Sequence, residues 1–576
     1  MVNQIIRREP IDDTHLSHVS DPLIRQIYAQ RGMVEHAYPL ALKKLLPPNQ
    51  LYGIDRAAQI IAEAMVDRLR ILIVGDFDAD GATSTSIMML ALREMGAMHV
   101  DYLIPNRFNF GYGLSPELVE VAKEKKAELL ITVDNGISSF AGVAAAKASG
   151  MRVVVTDHHL AADHLPQADA IVNPNQPDCT FASKAIAGCG VAFYVMCTVK
   201  NYLVEQGWFA SRPLPNLSDY LDLVALGTVA DVVPLDQNNR ILVQAGLHRM
   251  RQGRCRAGIT ALLDRANRQP LQLVASDLGF ALGPRLNAAG RLEDMSLGVE
   301  LLLCDDPLQA SRMANHLDRL NKERRQIEQT MQESAEQTLE QLTLDASKLP
   351  LGLVLYEANW HQGVMGIVAS RLKEKYHRPV IAFAQSSADE LKGSVRSIAG
   401  LHIRDLLDEV SKSYPDLILS FGGHAMAAGL TLKQKNLEPF QQAFQSVLAR
   451  HMSDELLQGK IRSDGALPVS RLTLETAQLL MDAGPWGQAF EEPLFDDEFL
   501  VLRHTCVAEK HIRLELMTLC RTKRVTAMVF NADLNLWSNQ NITRVHLAYR
   551  LHINIFRQQR QLQLIAQQAI PQTDKM

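Results

Sequence analysis

Residues 70–85, "RILIVGDFDADGATST", join an apolar run to three alternating aspartates, Asp76, Asp78 and Asp80. The apolar run predicts a buried strand. The aspartates and the glycine after them match the start of a calcium-binding EF-hand loop. That loop also needs an entering helix and a bidentate acid at its last position, which is Ile87 here. The pattern therefore excludes a calcium loop, and the lack of a Gly-Lys-Ser/Thr sequence excludes a P-loop.

Four further strand-like runs alternate with helical segments downstream, at residues 99–105, 128–134, 151–157 and 169–174. Continuous apolar runs that alternate with helices predict a buried parallel sheet. Three of its strands end in aspartate, namely Asp76, Asp134 and Asp157. Because open α/β sheets bind ligands beyond the carboxyl ends of their strands, we expect these acids to meet at one edge. We expect Gly81 to let the chain turn tightly into the following helix.

Two histidines and another acid join this edge. The sequence "VTDHHL" (155–160) contains His158 and His159, and Asp231 lies within an apolar stretch. Imidazoles beside carboxylates suit a transition metal such as manganese. A histidine pair alone is more often part of a capped turn, so it is the neighbouring acids that favour a metal site. Since buried acids repel each other unless a cation lies between them, the pattern predicts a dinuclear metal centre.

The composition is that of a soluble globular protein, with 47% hydrophobic and 21% charged residues among 576. This length predicts about three or four domains. No apolar stretch is long enough to cross a bilayer, the first residues lack a signal-peptide core, and the seven cysteines form no C-x-x-C pair. We therefore expect a cytoplasmic protein without a disulfide framework.

The charge is unevenly distributed. The net charge is -5, yet residues 499–576 hold eleven Lys and Arg against four Asp and Glu. A basic module on an acidic body predicts a localised surface for a polyanion. Apolar residues alternate from Val545 to Ile555, which predicts that this module is all-β. The other face of that strand carries Arg544 and His546, as either a phosphate-tracking stripe or a solvated strand face.

A long helical pattern occupies residues 307–343, with apolar positions every three or four residues and charged residues on the other faces. Pro307 suits the first turn of such a helix. We expect an exposed helix that connects two lobes. A second α/β unit follows, with strands expected near residues 351–356 and 378–384.

Several of these motifs resemble a known family. Similarity to the DHH phosphoesterase superfamily lies in "GDFDADGATST" (75–85), "TVDNGISS" (132–139), "TDHH" (156–159) and "GTVADVVPL" (227–235). Similarity to its RecJ branch, the single-strand-specific 5′→3′ DNA exonucleases, lies in "GPRLNAAGR" (283–291), "HQGVMG" (361–366), "KGSVRS" (392–397), "FGGHAMAAGL" (421–430) and "GPWGQAFEEPLF" (484–495). These motifs occur in order along most of the chain.

The resemblance implies an α/β fold in which a parallel-sheet DHH catalytic domain is joined by a long helix to a smaller α/β DHHA1 domain. A C-terminal all-β OB-fold domain follows. The implied boundaries are an N-terminal segment at 1–44, the catalytic domain at 45–306, the connecting helix at 307–345, the substrate-binding DHHA1 domain at 346–455 and the OB-fold-like nucleic-acid-binding domain at 456–576.

The resemblance also implies the residues of the metal centre. Two divalent ions, Mn²⁺ or Mg²⁺, would be held by Asp76, Asp78, Asp80, Asp134, His158 and Asp231. Asp134 would bridge the ions, His159 would contact the scissile phosphate, and Asp157 would orient the histidines. The catalytic set is therefore His159, Asp157 and Asp134.

The implied substrate-binding residues are Arg107, Arg285, Asn287, Arg291, His361, Ser394, Arg396, Gly422, Gly423 and His424. Arginines suit a terminal 5′-phosphate because a guanidinium binds phosphate in bidentate fashion. The glycines and small residues of "FGGHAMAAG" (421–429) predict a helix start, where N–H groups favour phosphate or where small residues allow close helix packing.

The implied activity is metal-dependent hydrolysis of single-stranded DNA from its 5′ end, releasing 5′-mononucleotides, in recombination and repair. The implied partners are single-stranded DNA, a single-strand-binding protein and a RecQ-type helicase, with the protein acting as a monomer away from membranes. Two alternatives stay open. A phosphodiesterase for very short oligonucleotides or cyclic dinucleotides would not need the basic tail, and a non-catalytic replication scaffold would have lost the acids.

Overall fold

The computed structural model describes residues 4–106, 110, 112–346, 349–538, 541–557 and 559–573. The chain forms two compact units. The larger unit comprises Glu9–Asn321 and Ala477–Pro493, and the smaller unit comprises Met1–Arg8, Lys322–Thr476 and Leu494–Met576. Within the described part of the chain, no helix combines the length and the apolar character needed to span a bilayer.

The first strand, β1 (Gln4–Arg7), belongs to the smaller unit. The strands of the larger unit are β2 (Ile71–Val74), β3 (Val100–Leu103), β4 (Leu129–Val133), β5 (Arg152–Thr156) and β6 (Ala170–Val172). Its helices are α1 (Pro22–Gln30), α2 (Ile54–Val66), α3 (Ala79–Glu94), α4 (Pro116–Glu124), α5 (Phe140–Ala148), α6 (Gly188–Glu205), α7 (Leu221–Ala230), α8 (Gln237–Arg251), α9 (Ala257–Arg265), α10 (Ala275–Asp277), α11 (Gly283–Leu292) and α12 (Ser296–Leu303), with a π-helical turn at Leu278–Leu282.

The predicted parallel sheet is confirmed. Its five strands lie in the order β3-β2-β4-β5-β6, and every neighbouring pair is parallel. All four residues of β2 and all five of β4 are buried, because helices cover both faces of the sheet. The register pairs Val74 with Thr132 and Val133 with Thr156, so the carboxyl ends of three adjacent strands meet at one edge.

The predicted long helix is also confirmed, as α13 (Pro307–Ala346). The smaller unit continues with β7 (Leu353–Tyr356), α14 (Met365–Tyr376), β8 (Val380–Gln385), β9 (Glu390–Arg396), α15 (Ile403–Ser413), β10 (Ser420–Gly423), β11 (Ala427–Lys433), α16 (Leu437–His451), β12 (Lys460–Ser463) and α17 (Leu474–Asp482), whose last turns enter the larger unit. Strands β7 to β11 form one sheet in the order β10-β11-β9-β8-β7.

One local prediction is wrong. The glycines of residues 421–429 do not start a helix, because Ser420–Gly423 and Ala427–Lys433 form an antiparallel hairpin. Gly423 has a φ of +144°, and a Cβ there would lie 2.5 Å from the carbonyl oxygen of Ala427. The glycines therefore permit a tight hairpin rather than a helix N-terminus.

The C-terminal strands, β13 (Phe495–Val507), β14 (His511–Thr518), β15 (Arg524–Val529), β16 (Ile542–Phe556) and β17 (Gln559–Thr573), close into a barrel. The predicted all-β module is thus confirmed. A bulge at Ala548 and Tyr549 interrupts the alternation of β16, so both of these residues are buried. On the same strand His546 lies 3.0 Å from Asp496, which means that the basic face is not one free stripe.

The N-terminal strand is a feature that the sequence did not predict. Strand β1 pairs in parallel with β12, and Arg7 forms an ion pair with Asp496 at 2.9 Å. Asp496 is buried, and it also accepts a hydrogen bond from Ser463. Burial would raise the pKa of Asp496, but the hydrogen bonds from Arg7, Ser463 and His546 keep it below its ordinary value. Strand β1 is therefore tied to the barrel through Arg7.

The Tyr549 hydroxyl inside the barrel donates to Asp497 Oδ2 at 2.6 Å. We expect Tyr549→Phe to destabilise the barrel by about 1–3 kcal/mol, because a half-buried carboxylate loses a hydrogen-bond donor. Hydrogen exchange should become faster in β13 and β16. Tyr414→Phe is the matched control, since among the described residues the Tyr414 hydroxyl has no hydrogen-bond partner. Unchanged exchange in the Tyr549→Phe barrel would contradict this role.

Candidate metal centre

Three of the predicted acids lie where adjacent strands end. Asp76 follows β2 by two residues, and Asp134 and Asp157 follow β4 and β5 directly. Asp134 adopts a left-handed backbone conformation with φ of +62°. The buried Asn135 stabilises this turn, because its side-chain amide donates to the carbonyl oxygens of Val74 at 3.1 Å and Val133 at 2.9 Å.

Asp78 and Asp80 are placed by helix termini. Asp78 caps α3, and its carboxylate accepts from the N–H groups of Asp80 and Gly81, both at 3.0 Å. Asp80 accepts from the first N–H groups of α6, Gly188 at 2.7 Å and Cys189 at 2.9 Å. These donors lie at the positive end of the helix macrodipole, which stabilises a carboxylate. No sequence motif predicted these donors, and the small residues of "AGCG" (187–190) are the only local signal for them.

Gly81 has a different role from the one expected. It lies inside α3 rather than at a turn before it. A Cβ at this position would lie 2.4 Å from the carbonyl oxygen of Asp76. The glycine therefore lets the helix pack directly against the aspartate loop. Gly188 is similar, because a Cβ there would lie 2.6 Å from Asp134 Oδ1.

His158 lies at the centre of the acids. Its Nε2 is 3.1 Å from Asp134 Oδ1, 3.5 Å from Asp231 Oδ2 and 3.9 Å from Asp80 Oδ2. Asp231 reaches the group from the C-terminus of α7. Three sets of side chains could each hold an ion, with their ligand atoms within 4.8 Å of one another: Asp80, His158 and Asp231; Asp76, Asp78 and Asp134; and Asp134, His158 and His159.

The acids destabilise each other in their charged forms. Burial raises the pKa of Asp76, Asp134 and Asp231 well above its ordinary value, and neighbouring carboxylates raise it further. Burial likewise raises the pKa of Asp80. Burial and the charge of His159 lower the pKa of His158, so its imidazole is neutral and suited to binding a metal.

Two buried atoms give a direct test of whether a cation fits. Asp134 Oδ1 and His158 Nε2 lie 3.1 Å apart, yet neither has a hydrogen-bond partner among the described residues. A carboxylate oxygen and a neutral imidazole nitrogen are both metal ligands. Two such atoms, buried and in contact without another hydrogen-bond partner among the described residues, fit a shared cation. The structure thus brings all six predicted ligands together around sites suited to divalent ions.

His159 and Asp157 form a separate pair beside these ligands. His159 Nδ1 lies 2.8 Å from Asp157 Oδ1, and the other oxygen of Asp157 accepts from the Ile137 N–H at 2.9 Å. Burial lowers the pKa of His159, but the hydrogen bond and charge of Asp157 outweigh it and raise the pKa to about 9. The Tyr112 hydroxyl is 3.1 Å from His159 Nδ1. Tyr112 was not among the predicted site residues, although the sequence "GYG" (111–113) predicts an aromatic residue in a turn.

The substrate-binding residues predicted in the larger unit support its fold. Arg285 pairs with Asp318 at 2.9 Å, and the Asn287 side-chain oxygen accepts from the Ala79 N–H at 2.8 Å. Arg291 lies in the last turn of α11. Asn287 therefore braces the start of α3 beside Asp78. Arg107 lies outside the described residues. No described contact assigns these residues to a substrate, and that role stays a prediction.

The residues predicted in the smaller unit lie on one sheet. Arg396 Nη1 donates to Ser394 Oγ at 3.2 Å and Arg396 Nε donates to Ser370 Oγ at 3.2 Å. Among the described residues no acid lies within ion-pair distance of Arg396, and burial lowers the pKa of its guanidinium. In the next strands Ser394 pairs with Gly429, which pairs with Gly422, so one row of the sheet carries almost no side chains.

A helix N-terminus does lie here, although not where it was predicted. Helix α14 begins at Met365, shortly after His361, whose Nδ1 accepts from the Gly363 N–H at 3.1 Å. A Cβ at Gly366 would lie 2.6 Å from Arg396 Nη2, so the first turn of α14 packs against the arginine. Gly423 and His424 lie in the β10–β11 hairpin, and the His424 N–H donates to the carbonyl oxygen of Ala427.

Comparison with known proteins identifies the family. Three family models match, the DHH family N-terminal domain at residues 70–228, the DHHA1 domain at 351–450 and the RecJ OB domain at 463–568. The single-stranded-DNA-specific exonuclease RecJ of Salmonella typhimurium is 53% identical over 566 residues, covering 98% of each chain. This chain belongs to the RecJ family.

The fold is that of solved RecJ structures. RecJ of Thermus thermophilus in complex with Mn²⁺ has a TM-score of 0.78 and 29% identity, covering 98% of this chain and 79% of that one. Its complex with Mg²⁺ has a TM-score of 0.74 and 28% identity, with 98% and 78% covered. The resemblance read from the motifs, and the fold class that it implied, are therefore confirmed.

The crowding of acids predicts how Asp134→Asn affects stability. The pKa of Asp134 in the folded protein exceeds its unfolded value, 3.8, so the folded state binds more protons and loses stability as the pH rises through that range. In buffer containing a chelator, Asp134→Asn should raise the melting temperature, and by more at about pH 8 than at about pH 5. Differential scanning calorimetry measures this, with exposed Asp163→Asn as the control. A stabilisation independent of pH would contradict the argument.

Proposed function

We propose that this protein is a two-metal 5′→3′ exonuclease that hydrolyses phosphodiester bonds of single-stranded DNA and releases 5′-mononucleotides. The observation that carries the proposal is the buried contact between Asp134 and His158, two metal-ligand atoms without hydrogen-bond partners among the described residues, in a chain of the RecJ family. The retained acids disfavour a non-catalytic scaffold. The barrel and the basic tail favour a long strand over a dinucleotide.

The ligands divide into two sets in this proposal. Asp80, His158 and Asp231 would hold one Mn²⁺ or Mg²⁺ ion, Asp76 and Asp78 would hold a second, and Asp134 would bridge them. A pair of divalent ions supplies a hydroxide nucleophile near neutral pH and stabilises the attacking and leaving oxygens. The RecJ structures with Mn²⁺ and Mg²⁺ support this choice of metals.

The neighbouring histidine would act on the substrate. The hydrogen bond and charge of Asp157 raise the pKa of His159 to about 9, which favours its protonated form. Asp157 holds its Nδ1, which leaves Nε2 as the donor to a non-bridging oxygen of the scissile phosphate. The buried Asp157 therefore orients the imidazole and preserves its charge.

The smaller unit would bind the 5′ end. Arg396 carries a guanidinium charge without a described acid nearby, beside Ser394 and the first turn of α14. Such a group suits a terminal phosphate, since a helix N-terminus and an arginine both favour an anion. The glycine row at Gly422 and Gly429 would let a sugar-phosphate backbone approach the sheet closely.

The biological setting is part of the same proposal. We infer a cytoplasmic monomer that works in recombination and repair beside a single-strand-binding protein and a RecQ-type helicase. We propose the domain boundaries that the motifs imply, with the catalytic domain at 45–306 and the DHHA1 domain at 346–455.

Digestion assays test the activity. With Mn²⁺, the protein should degrade 5′-phosphorylated single strands to mononucleotides, and should leave blunt duplexes and 5′-blocked strands intact. Asp134→Asn and His158→Ala should reduce kcat by at least about 1,000-fold, because each removes a ligand of the ions that supply the nucleophile. Asp163→Asn should be as active as the unmodified protein. Consumption of dinucleotides alone, or full activity of both ligand variants, would contradict the proposal.

The end-binding role of Arg396 has its own test. Arg396→Ala should raise KM for 5′-phosphorylated strands by about 10- to 100-fold, because a charge-assisted hydrogen bond contributes about 1.5–3 kcal/mol. KM for 5′-hydroxyl strands should change little. Arg396→Lys should give a KM for 5′-phosphorylated strands between those of the unmodified protein and Arg396→Ala. The exposed Arg404→Ala is the matched control. Equal losses with 5′-phosphate and 5′-hydroxyl ends would exclude this role.

A further inference from the structure

The turn after β6, Asn173-Pro174-Asn175, contacts the main chain of the histidine pair. Asn173 Nδ2 donates to the carbonyl oxygen of His159 at 2.9 Å. Asn175 Nδ2 donates to the carbonyl oxygen of His158 at 2.6 Å. Two neighbouring amide side chains therefore hold two consecutive carbonyls. Neither asparagine was among the predicted site residues.

The other main-chain groups of the histidine pair are also held by a side chain. The N–H groups of His158 and His159 donate to Asp157 Oδ1 at 2.7 and 3.1 Å. Residues 157–169, all of which are described, form neither helix nor strand, so no regular hydrogen-bond ladder fixes this dipeptide. Three side chains thus set the orientation of the three peptide planes around the histidine pair: Asp157 accepts from the two N–H groups, and the two asparagines donate to the two carbonyl oxygens.

The asparagine turn is rigid enough to serve this purpose. Asn173 is fully buried, and its Oδ1 accepts from the Asn175 N–H at 2.7 Å. Lys184 Nζ donates to the carbonyl oxygen of Pro174 at 2.6 Å. Gln176 Nε2 donates to the carbonyl oxygen of Ile171 at 3.1 Å, tying the turn to β6. The turn is therefore anchored to the sheet on which the acids lie.

We propose that Asn173 and Asn175 are positioning residues of the nuclease, with separate tasks. Asn175 orients His158 toward the metal ligands Asp134 and Asp231, and Asn173 orients His159 toward the scissile phosphate. The proposal rests on the function proposed above. Its physical basis is that a catalytic group has to lie within about 0.5 Å of its productive position, whereas a small rotation of a peptide plane moves a ring nitrogen by more.

Two roles of Asn173, shaping its own turn and orienting His159, can be separated by mutation. Its Oδ1 shapes the turn, whereas its Nδ2 reaches His159. Asn173→Ser retains a hydroxyl that accepts from the Asn175 N–H, as in an ST-turn, but is too short to reach the histidine carbonyl. Asn175→Ala removes the donor to the His158 carbonyl oxygen, together with a longer hydrogen bond to the carbonyl oxygen of Lys184 at 3.2 Å. The milder Asn175→Ser serves if the alanine variant does not fold.

The experiment combines Mn²⁺ binding, followed by the EPR signal of free Mn²⁺, with steady-state digestion of single strands. Asn175→Ala should weaken Mn²⁺ binding by about 10- to 100-fold, the usual effect of losing a group that orients a metal ligand. Asn173→Ser should leave Mn²⁺ affinity within about twofold and lower kcat by about 10-fold or more, with KM unchanged. Asn238→Ala is the control, because this buried asparagine holds only the Leu46 N–H and the Tyr194 hydroxyl in the described part of the chain.

The control should lose melting temperature but keep both Mn²⁺ affinity and kcat. Folded variants at Asn173 and Asn175 with unmodified Mn²⁺ affinity and kcat would overturn the proposal. The proposal would also be overturned if Mn²⁺ affinity and kcat fell only in proportion to the melting temperature in Asn173→Ser, Asn175→Ala and Asn238→Ala alike. If the unmodified protein digested no single strands while Asn175→Ala still lost Mn²⁺ affinity, the exonuclease function would fail and the positioning of His158 would stand.

Discussion

The mutual repulsion of carboxylates buried at one edge of the parallel sheet is the constraint on which the larger unit depends. Asp76, Asp134 and Asp157 meet there because three adjacent strands end together. Asp80 and Asp231 are added by helix ends. Burial would be very costly for so many charges without compensation. This geometry allows three kinds of group to offset the negative charge of the carboxylates: helix N–H groups, a neutral imidazole and divalent cations.

The smaller unit has the opposite charge imbalance, because a positive charge there has no acid beside it among the described residues. Arg396 is half-buried with hydroxyl and carbonyl partners, and no acid in the described residues offsets its charge. In the function proposed above, the crowded acids would bind divalent cations and Arg396 would bind a terminal phosphate. Both expectations agree with the RecJ family assignment.

Sequence reasoning succeeded where the physical signal was local. The strands, the long helix and the six candidate ligands follow from apolar runs, strand-end aspartates and motif resemblance, and the structure brings those ligands together. The predictions from the sequence were wrong where a glycine could have more than one structural role. The Gly422–Gly423 pair forms a hairpin rather than a helix start, and Gly81 permits close packing rather than a turn. Composition cannot distinguish these uses, because each depends on what packs against the missing Cβ.

The sequence by itself determined the fold class, the family resemblance and the identity of the acids and histidines, because strand periodicity and short motifs are written in neighbouring residues. Only the tertiary structure decided which groups orient them. These groups lie far from their partners in the sequence. The N–H groups of α6 donate to Asp80, the Asn173 and Asn175 amides donate to the histidine carbonyls, and β1 pairs with β12. Such contacts arise from packing, and no local pattern encodes them.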